Sequence, residues 1–208
     1  MKGPTAMLPL DKVTLPFEKD LRAERLRLVE TLDGLSDEEF ESGTTLCAGW
    51  APRDVLGHVI STDYLGGYLE HGPGLDAANQ ALVDRTRRLS RDRLMEWARR
   101  WAARPSVTSR LGAMIMFGDV SVHHQDVLRG LGRERAVPDA VGRAIFREGA
   151  QLSLWLNQRV LRHRLVPTDG GRPFALPGAG KAEARGTREA LGMWLAGRDA
   201  VAGELDFA

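Results

Sequence analysis

The residues of this chain best equipped for chemistry are its histidines, at positions 58, 71, 123, 124 and 163, since imidazole ligates metals and moves protons near neutral pH. Asp119 and His123 stand four positions apart in a segment that reads as helix, so both side chains leave one face about one turn apart. At that separation a carboxylate and an imidazole can share one ion. His58 lies in another helical segment, one turn after Asp54. If the two helices are inward-facing neighbours, two nitrogens and one oxygen converge inside the fold. Three protein ligands leave positions for water or substrate, the catalytic rather than the structural pattern of a divalent site. Spacing alone leaves plainer readings open: a histidine satisfied in a core, or an acid–histidine surface pair worth about a few tenths of a kcal/mol. Against them, Met114, Ile115, Met116 and Phe117 read as buried, and an ionisable pair continuing a buried helix needs partners such as a metal.

The remaining candidates read more simply. His124 is rotated by about 100° from His123 around a helix and is expected at the surface or behind the ligands. His71, beside Gly72 and Pro73, reads as a solvated loop residue, and His163 falls where the helical part ends. Cys47 sits in a glycine-flanked loop and reads as semi-buried, with nothing that marks an activated thiol. The tryptophans at 50, 97, 101, 155 and 194 are at helical or pre-helical positions and are expected in the core. Arginines between 85 and 100 are interleaved with Asp92 and Glu96, which describes a solvated face. GAGKAEARG lacks the pattern of a phosphate loop, and no nucleophile elbow is readable.

The elements that must position these residues follow from periodicity and punctuation. A helix is predicted from Pro16 to Asp33, stopped by Gly34, and a capping box of Ser36 and Glu39 opens a short second one. After the loop SGTTLCAGW, Pro52 suits a first helical position and Asp54 the first turn, and this helix is expected to reach about Glu70 with Tyr64 and Leu65 on its apolar side. A basic helix over 75–103, interrupted near Ser90, stops before Pro105. Further helices are predicted over 107–131 and 138–162. From 163 the chain turns rich in Gly and Pro, with strand-like pieces near 164–168, 173–176 and 182–186 and a last helix from Arg188 to Ala196 ended by Gly197. The division expected is a helical bundle over 12–162 and a small α/β region over 163–208.

Composition bounds the function. With 43% hydrophobic and 27% charged residues the chain can bury a real core, and 29 Lys and Arg against 28 Asp and Glu give no global field for nucleic acid or anionic membrane. No apolar run is long enough to span a bilayer, and the opening MKGPTAMLPLDKVTLPF has no continuous apolar stretch of a signal peptide. A single cysteine permits no intrachain disulfide and no Cys-based zinc site, so a reducing, cytoplasmic home is expected.

Three blocks resemble a known family. TLCAGWAPRDVLGHV (45–59) is similar to the TLCxGWxxxDxxAHL segment of the mycothiol-dependent maleylpyruvate isomerases, a branch of the DinB-like superfamily. DVSVHHQDVLRGLG (119–132) resembles that family's ExxxHxxDxxxALG segment, and GTREALGMWLAGR (186–198) its C-terminal signature. The resemblance implies a mainly α fold, a DinB/YfiT-type four-helix bundle with a small α/β C-terminal appendage. It places the metal ligands at His58, Asp119 and His123, although the family carries Glu at the position of Asp119. It also implies one divalent metal ion (zinc, or nickel) that activates a low-molecular-weight thiol such as mycothiol. Arg198 matches an arginine that would hold an anionic small-molecule substrate. Asp54 and Asp126 are candidates to orient the imidazoles, and Trp50 and Arg53 to shape the mouth.

The function expected is metal-dependent thiol transfer to, or thiol-dependent isomerisation of, a small electrophile, by a monomer or homodimer that binds neither nucleic acid nor membrane. The alternatives are a non-catalytic small-ligand binding protein using the same cavity, and a metal-dependent hydrolase.

Overall fold

A computed structural model describes residues 13–63, 75–178 and 182–208. The chain is mainly helical, with a small three-stranded sheet formed by its C-terminal part. The helices are α1 (Glu18–Asp33), α2 (Asp37–Ser42), α3 (Pro52–Ser61), α4 (Leu75–Thr86), α5 (Arg91–Ala103), α6 (Val107–Leu111), α7 (Ala113–Gly130), α8 (Asp139–Leu156), α9 (Arg159–Arg162) and α10 (Arg188–Leu195). The strands are β1 (His163–Pro167), β2 (Ala182–Gly186) and β3 (Asp206–Phe207), with a 3-10 helix over Asp199–Glu204 before β3.

Local chemistry explains most boundaries. Ser36 and Glu39 form the predicted capping box, with the Glu39 amide donating to Ser36 Oγ at 3.1 Å and the Ser36 amide to Glu39 Oε2 at 2.9 Å. Pro52 is the first residue of α3, and Ser90 caps α5, which splits the expected basic helix in two. Three expectations need correction. α3 ends at Ser61, not near Glu70; Tyr64, Leu65 and His71 lie outside the described residues. The predicted helix over 107–131 is broken at Gly112, which ends α6 and precedes α7. The helix expected to reach Arg162 stops at Leu156, because Gln158 takes the left-handed conformation at φ 59° and starts the short α9.

α5 and α7 each pack against both α1 and α3, which closes a four-helix bundle. α4 lies on α3, and α8 lies on α7. α10 then lies on α8 through two facing glycines. A Cβ at Gly149 would stand 2.1 Å from the Gly192 carbonyl oxygen, so the two helices meet backbone to backbone. β1 and β2 pair in parallel, with Leu165 opposite Ala184, and β2 pairs antiparallel with β3. The segment predicted as a strand near 173–176 contributes a single bridge, Phe174 to Leu165, while β3 carries no advance signal in the sequence.

One continuous apolar core runs from Leu21, Leu28 and Phe40 through Val59, Ile60 and Phe117 to Ile145 and Leu191. Two core expectations fail. Met114 and Ile115 are exposed, because the break at Gly112 turns the start of α7 outward, and of that quartet Phe117 is the buried member. Trp155 is 87% exposed at the free end of α8. Among the described residues, no helix is long and apolar enough to cross a membrane.

Candidate metal centre

His58 projects from the last turns of α3 and Asp119 and His123 from the middle of α7, and the packing of these two helices brings the three side chains together. Asp119 Oδ1 lies 3.7 Å from His58 Nε2 and 3.5 Å from His123 Nε2. Both separations exceed a normal hydrogen bond. They match the spacing of ligand atoms around a tetrahedral ion: bonds of about 2.0–2.2 Å place neighbouring ligands about 3.3–3.6 Å apart. Asp119 Oδ2 is buried without a hydrogen-bond partner. A carboxylate with one oxygen beside two imidazole nitrogens and the other buried without a partner fits a divalent cation, and the aspartate, one methylene shorter than glutamate, still reaches both nitrogens.

Electrostatics separates the two imidazoles. Burial pushes the His58 pKa down, which favours the neutral form a metal needs. Burial also opposes charge on His123, but Cys47, Asp126 and Asp119 around it outweigh that and raise its pKa well above the usual value. His123 Nδ1 stands 3.0 Å from Asp126 Oδ2, so its Nδ1 proton points to Asp126, while Nε2 faces Asp119 and His58 and gives up its own proton when it binds a metal. Asp126 is fully buried; burial raises its pKa, yet His123 and Arg198 hold it far below the usual carboxylate range.

Arg198 follows α10 and completes this side of the site. Its Nε donates to Asp126 Oδ1 at 3.0 Å and Nη2 to Asp126 Oδ2 at 2.7 Å, while Nη1 is fixed on the Ala196 carbonyl at 2.7 Å. Cys47 lies 3.0 Å from Asp126 Oδ2, 3.5 Å from His123 Nδ1 and 3.6 Å from Arg198 Nη2. It is placed there by the loop over the end of α7, where the Leu46 amide donates to the Asp126 carbonyl at 3.0 Å. That loop comes so close that a Cβ at Gly130 would meet Thr45 Cα at 2.3 Å. Cys47, His123 and Asp126 form a second group of ligand-type atoms, but the Arg198 guanidinium already sits against it. A cation there would have to displace a buried positive charge, so the favoured position is the His58–Asp119–His123 triad.

These groups open onto a cavity of about 640 Å³, a size suited to a small molecule. Trp50, Gln80, Ile115, Met116, Glu148 and Leu152 line it beside the triad. Trp50 stacks 5.2 Å from the His58 ring and donates from Nε1 to Gln80 Oε1 at 3.2 Å.

Several expectations are corrected. Asp54 does not orient His58: its carboxylate receives Arg87 at 2.8 and 2.9 Å and the Ala51 amide at 3.1 Å, and His58 Nδ1 has no hydrogen-bond partner. Arg53 pairs with Glu41 and donates to the Leu89 carbonyl instead of shaping the mouth. His124 is neither at the surface nor behind the ligands; it is buried between α7 and α1, with Nδ1 2.8 Å from Glu24 and Nε2 2.9 Å from Thr31. His163 packs edge-on against Trp194 at 5.0 Å. Sequence reasoning passed over Cys47 and Glu148 as site residues. Glu148 did carry a signal, since it stands three and four positions after the buried Ile145 and Ala144 on an apolar face.

The fold and the clustered side chains define a class: a mainly helical bundle with a candidate metal triad in its interior and a small α/β C-terminal part. No family model matches the chain, and no curated protein matches it in sequence. Among solved structures it is similar to the mycothiol-dependent maleylpyruvate isomerase and to a histidine-to-alanine variant of that enzyme, each at TM-score 0.65 and 18% identity, covering 93% of this chain and 93% of the other. At that identity the likeness is one of fold.

Proposed function

We propose that this protein is a divalent-metal-dependent enzyme of the mycothiol-dependent maleylpyruvate isomerase type, acting on a small electrophile with a low-molecular-weight thiol. The observation that carries this reading is the triad itself: His58, Asp119 and His123 offer two nitrogens and an oxygen at metal-ligand spacing on the wall of an open cavity. The shared fold with an enzyme described as mycothiol-dependent supports the thiol as cosubstrate.

In this reading His58, Asp119 and His123 hold one ion, zinc by the donor set, which when bound lowers the pKa of a thiol and makes it nucleophilic. The chain's own groups do the rest. Asp126 holds the His123 tautomer. Arg198, kept charged by Asp126, presents the remaining face of its guanidinium to an anionic substrate group. Trp50, Ile115 and Leu152 give the cavity an apolar wall beside the triad.

Elemental analysis of protein purified without a metal-affinity tag tests the site. About one equivalent of metal is expected, lost in His58→Ala, Asp119→Ala and His123→Ala. Unchanged metal in all three variants would remove the triad, and product analysis with and without mycothiol separates thiol chemistry from hydrolysis.

A further inference from the structure

One acid on the cavity wall has no role in the scheme above. Glu148, on α8, is 7% exposed and lines the same cavity as the triad. Two features place it there. Val141, Ala144 and Ile145 set the inward face of α8, and Glu148 continues that face by one turn. Opposite it on α7, position 118 is glycine: a Cβ there would stand 2.5 Å from Glu148 Oε2 and 2.8 Å from Glu148 Cβ. The missing side chain makes the seat that the carboxyl occupies.

That seat leaves the acid unspent. Glu148 Oε2 is buried and has no hydrogen-bond partner. Its sequence neighbour Arg147 donates instead to the Met114 carbonyl at 2.9 Å and lies over the Phe17 ring at 5.0 Å. A buried polar atom without a partner costs stability, so an apolar residue would serve stability better here. A carboxyl on a cavity wall with an unpartnered oxygen is placed to exchange a proton with the cavity's contents.

We propose that Glu148 accepts the proton of a thiol entering the cavity and later returns it to the substrate, an assignment that rests on the thiol-dependent function above. The S–H bond breaks with its electron pair remaining on sulfur and its proton passing to the Glu148 carboxylate. The sulfur pair forms the bond to the electrophilic carbon, the π pair of that carbon moves to the neighbouring atom, and the proton on Glu148 follows it. Atoms and electrons balance without an oxidant or reductant. The charged groups that face Glu148 are Asp119 and His123 on α7 and Arg147 on α8. With no ion bound, burial and then the Asp119 charge push its pKa up to about 7, against the pull of Arg147 and His123.

Calorimetric titration with mycothiol tests this in zinc-reconstituted wild type and E148Q, in buffers of different ionisation enthalpy near neutral pH. The buffer dependence counts protons released per thiol bound. The wild type is expected to release fewer protons per thiol than E148Q, by the ionised share of Glu148 (about half a proton where pH equals its pKa, approaching one above it), at equal metal content by elemental analysis. Equal release with thiol binding intact overturns the role of Glu148 and leaves the proposed function standing. Loss of metal in E148Q makes Glu148 a ligand and likewise overturns the proton role. Failure of the wild type to bind mycothiol overturns the proposed function, and this assignment with it. E148M, which fills the same seat with apolar atoms, repeats the comparison should E148Q be unstable.

Discussion

Arg198 and Asp126 form a bidentate ion pair that ties the end of α10 to the ligand-bearing helix α7, at 3.0 and 2.7 Å. The carboxylate oxygen that receives Arg198 Nη2 also stands 3.0 Å from His123 Nδ1. One buried carboxylate therefore sets both the tautomer of a candidate metal ligand and the position of a candidate substrate-binding arginine. Asp126→Asn is expected to weaken metal binding by about 10–100-fold, the usual cost of losing a partner that orients a ligating imidazole. Competition with a chelator measures it, and an unchanged dissociation constant would free His123 from any dependence on Asp126.

Arg198→Lys separates binding of substrate from binding of metal. A lysine keeps the charge but cannot bridge both oxygens of Asp126 while reaching into the cavity. Metal content is expected to stay at the wild-type level, with kcat/KM falling by about 10–100-fold, the equivalent of one charged hydrogen bond. Steady-state kinetics beside elemental analysis makes the comparison. Full activity in the lysine variant would show that the two-pronged contact is dispensable.

The buried acid Glu24 predicts a defined loss of stability in acid. Its pKa falls from 4.5 to about 2; burial opposes that fall, and the contacts with His124 and Arg135 outweigh burial. A lowered folded-state pKa contributes stability that is fully present above the unfolded value and is lost as pH drops through the folded one. The contribution is about 3 kcal/mol at neutral pH, and it fades between about pH 4.5 and 2. Urea melts across that range should show Glu24→Gln less stable than wild type at neutral pH, with the gap closing toward pH 2. A gap independent of pH would mean that the charge of Glu24 is not what stabilises the contact.

Gly149→Ala tests how the C-terminal segment is held. A methyl at this position would overlap the Gly192 carbonyl at 2.1 Å, and backbone cannot yield as a side-chain tip can. Overpacking of this kind costs about 1–3 kcal/mol or more. The variant is expected to melt at lower urea, whereas Gly203→Ala, where a Cβ meets nothing within 4 Å, should melt close to wild type. Equal melts for the two would show that α8 and α10 can slide apart cheaply.

What the sequence determined was whatever depends on near neighbours along the chain. The four-residue spacing of Asp119 and His123 placed both on one face of a helix wherever that helix packed. The capping box at Ser36, Pro52 at the start of α3 and Gly197 after α10 were readable because caps and turns are settled within a few residues. The mainly helical fold with its small C-terminal sheet was legible for the same reason, summed over many short segments. Tertiary structure decided everything that depends on which helix lies beside which. Periodicity shows that a helix has an apolar face without naming the helix that covers it, so Asp54 looked like a partner for His58 and is instead held by Arg87. An apolar residue at a cavity mouth or at an exposed helix end looks, in sequence, like a core residue, and so Ile115 and Trp155 were misplaced while Glu148 went unnoticed. Cys47, Asp126 and Arg198 come from a loop, from α7 and from the turn after α10, far apart in sequence. Their meeting follows from long-range packing between backbones, which no local pattern of residue types records.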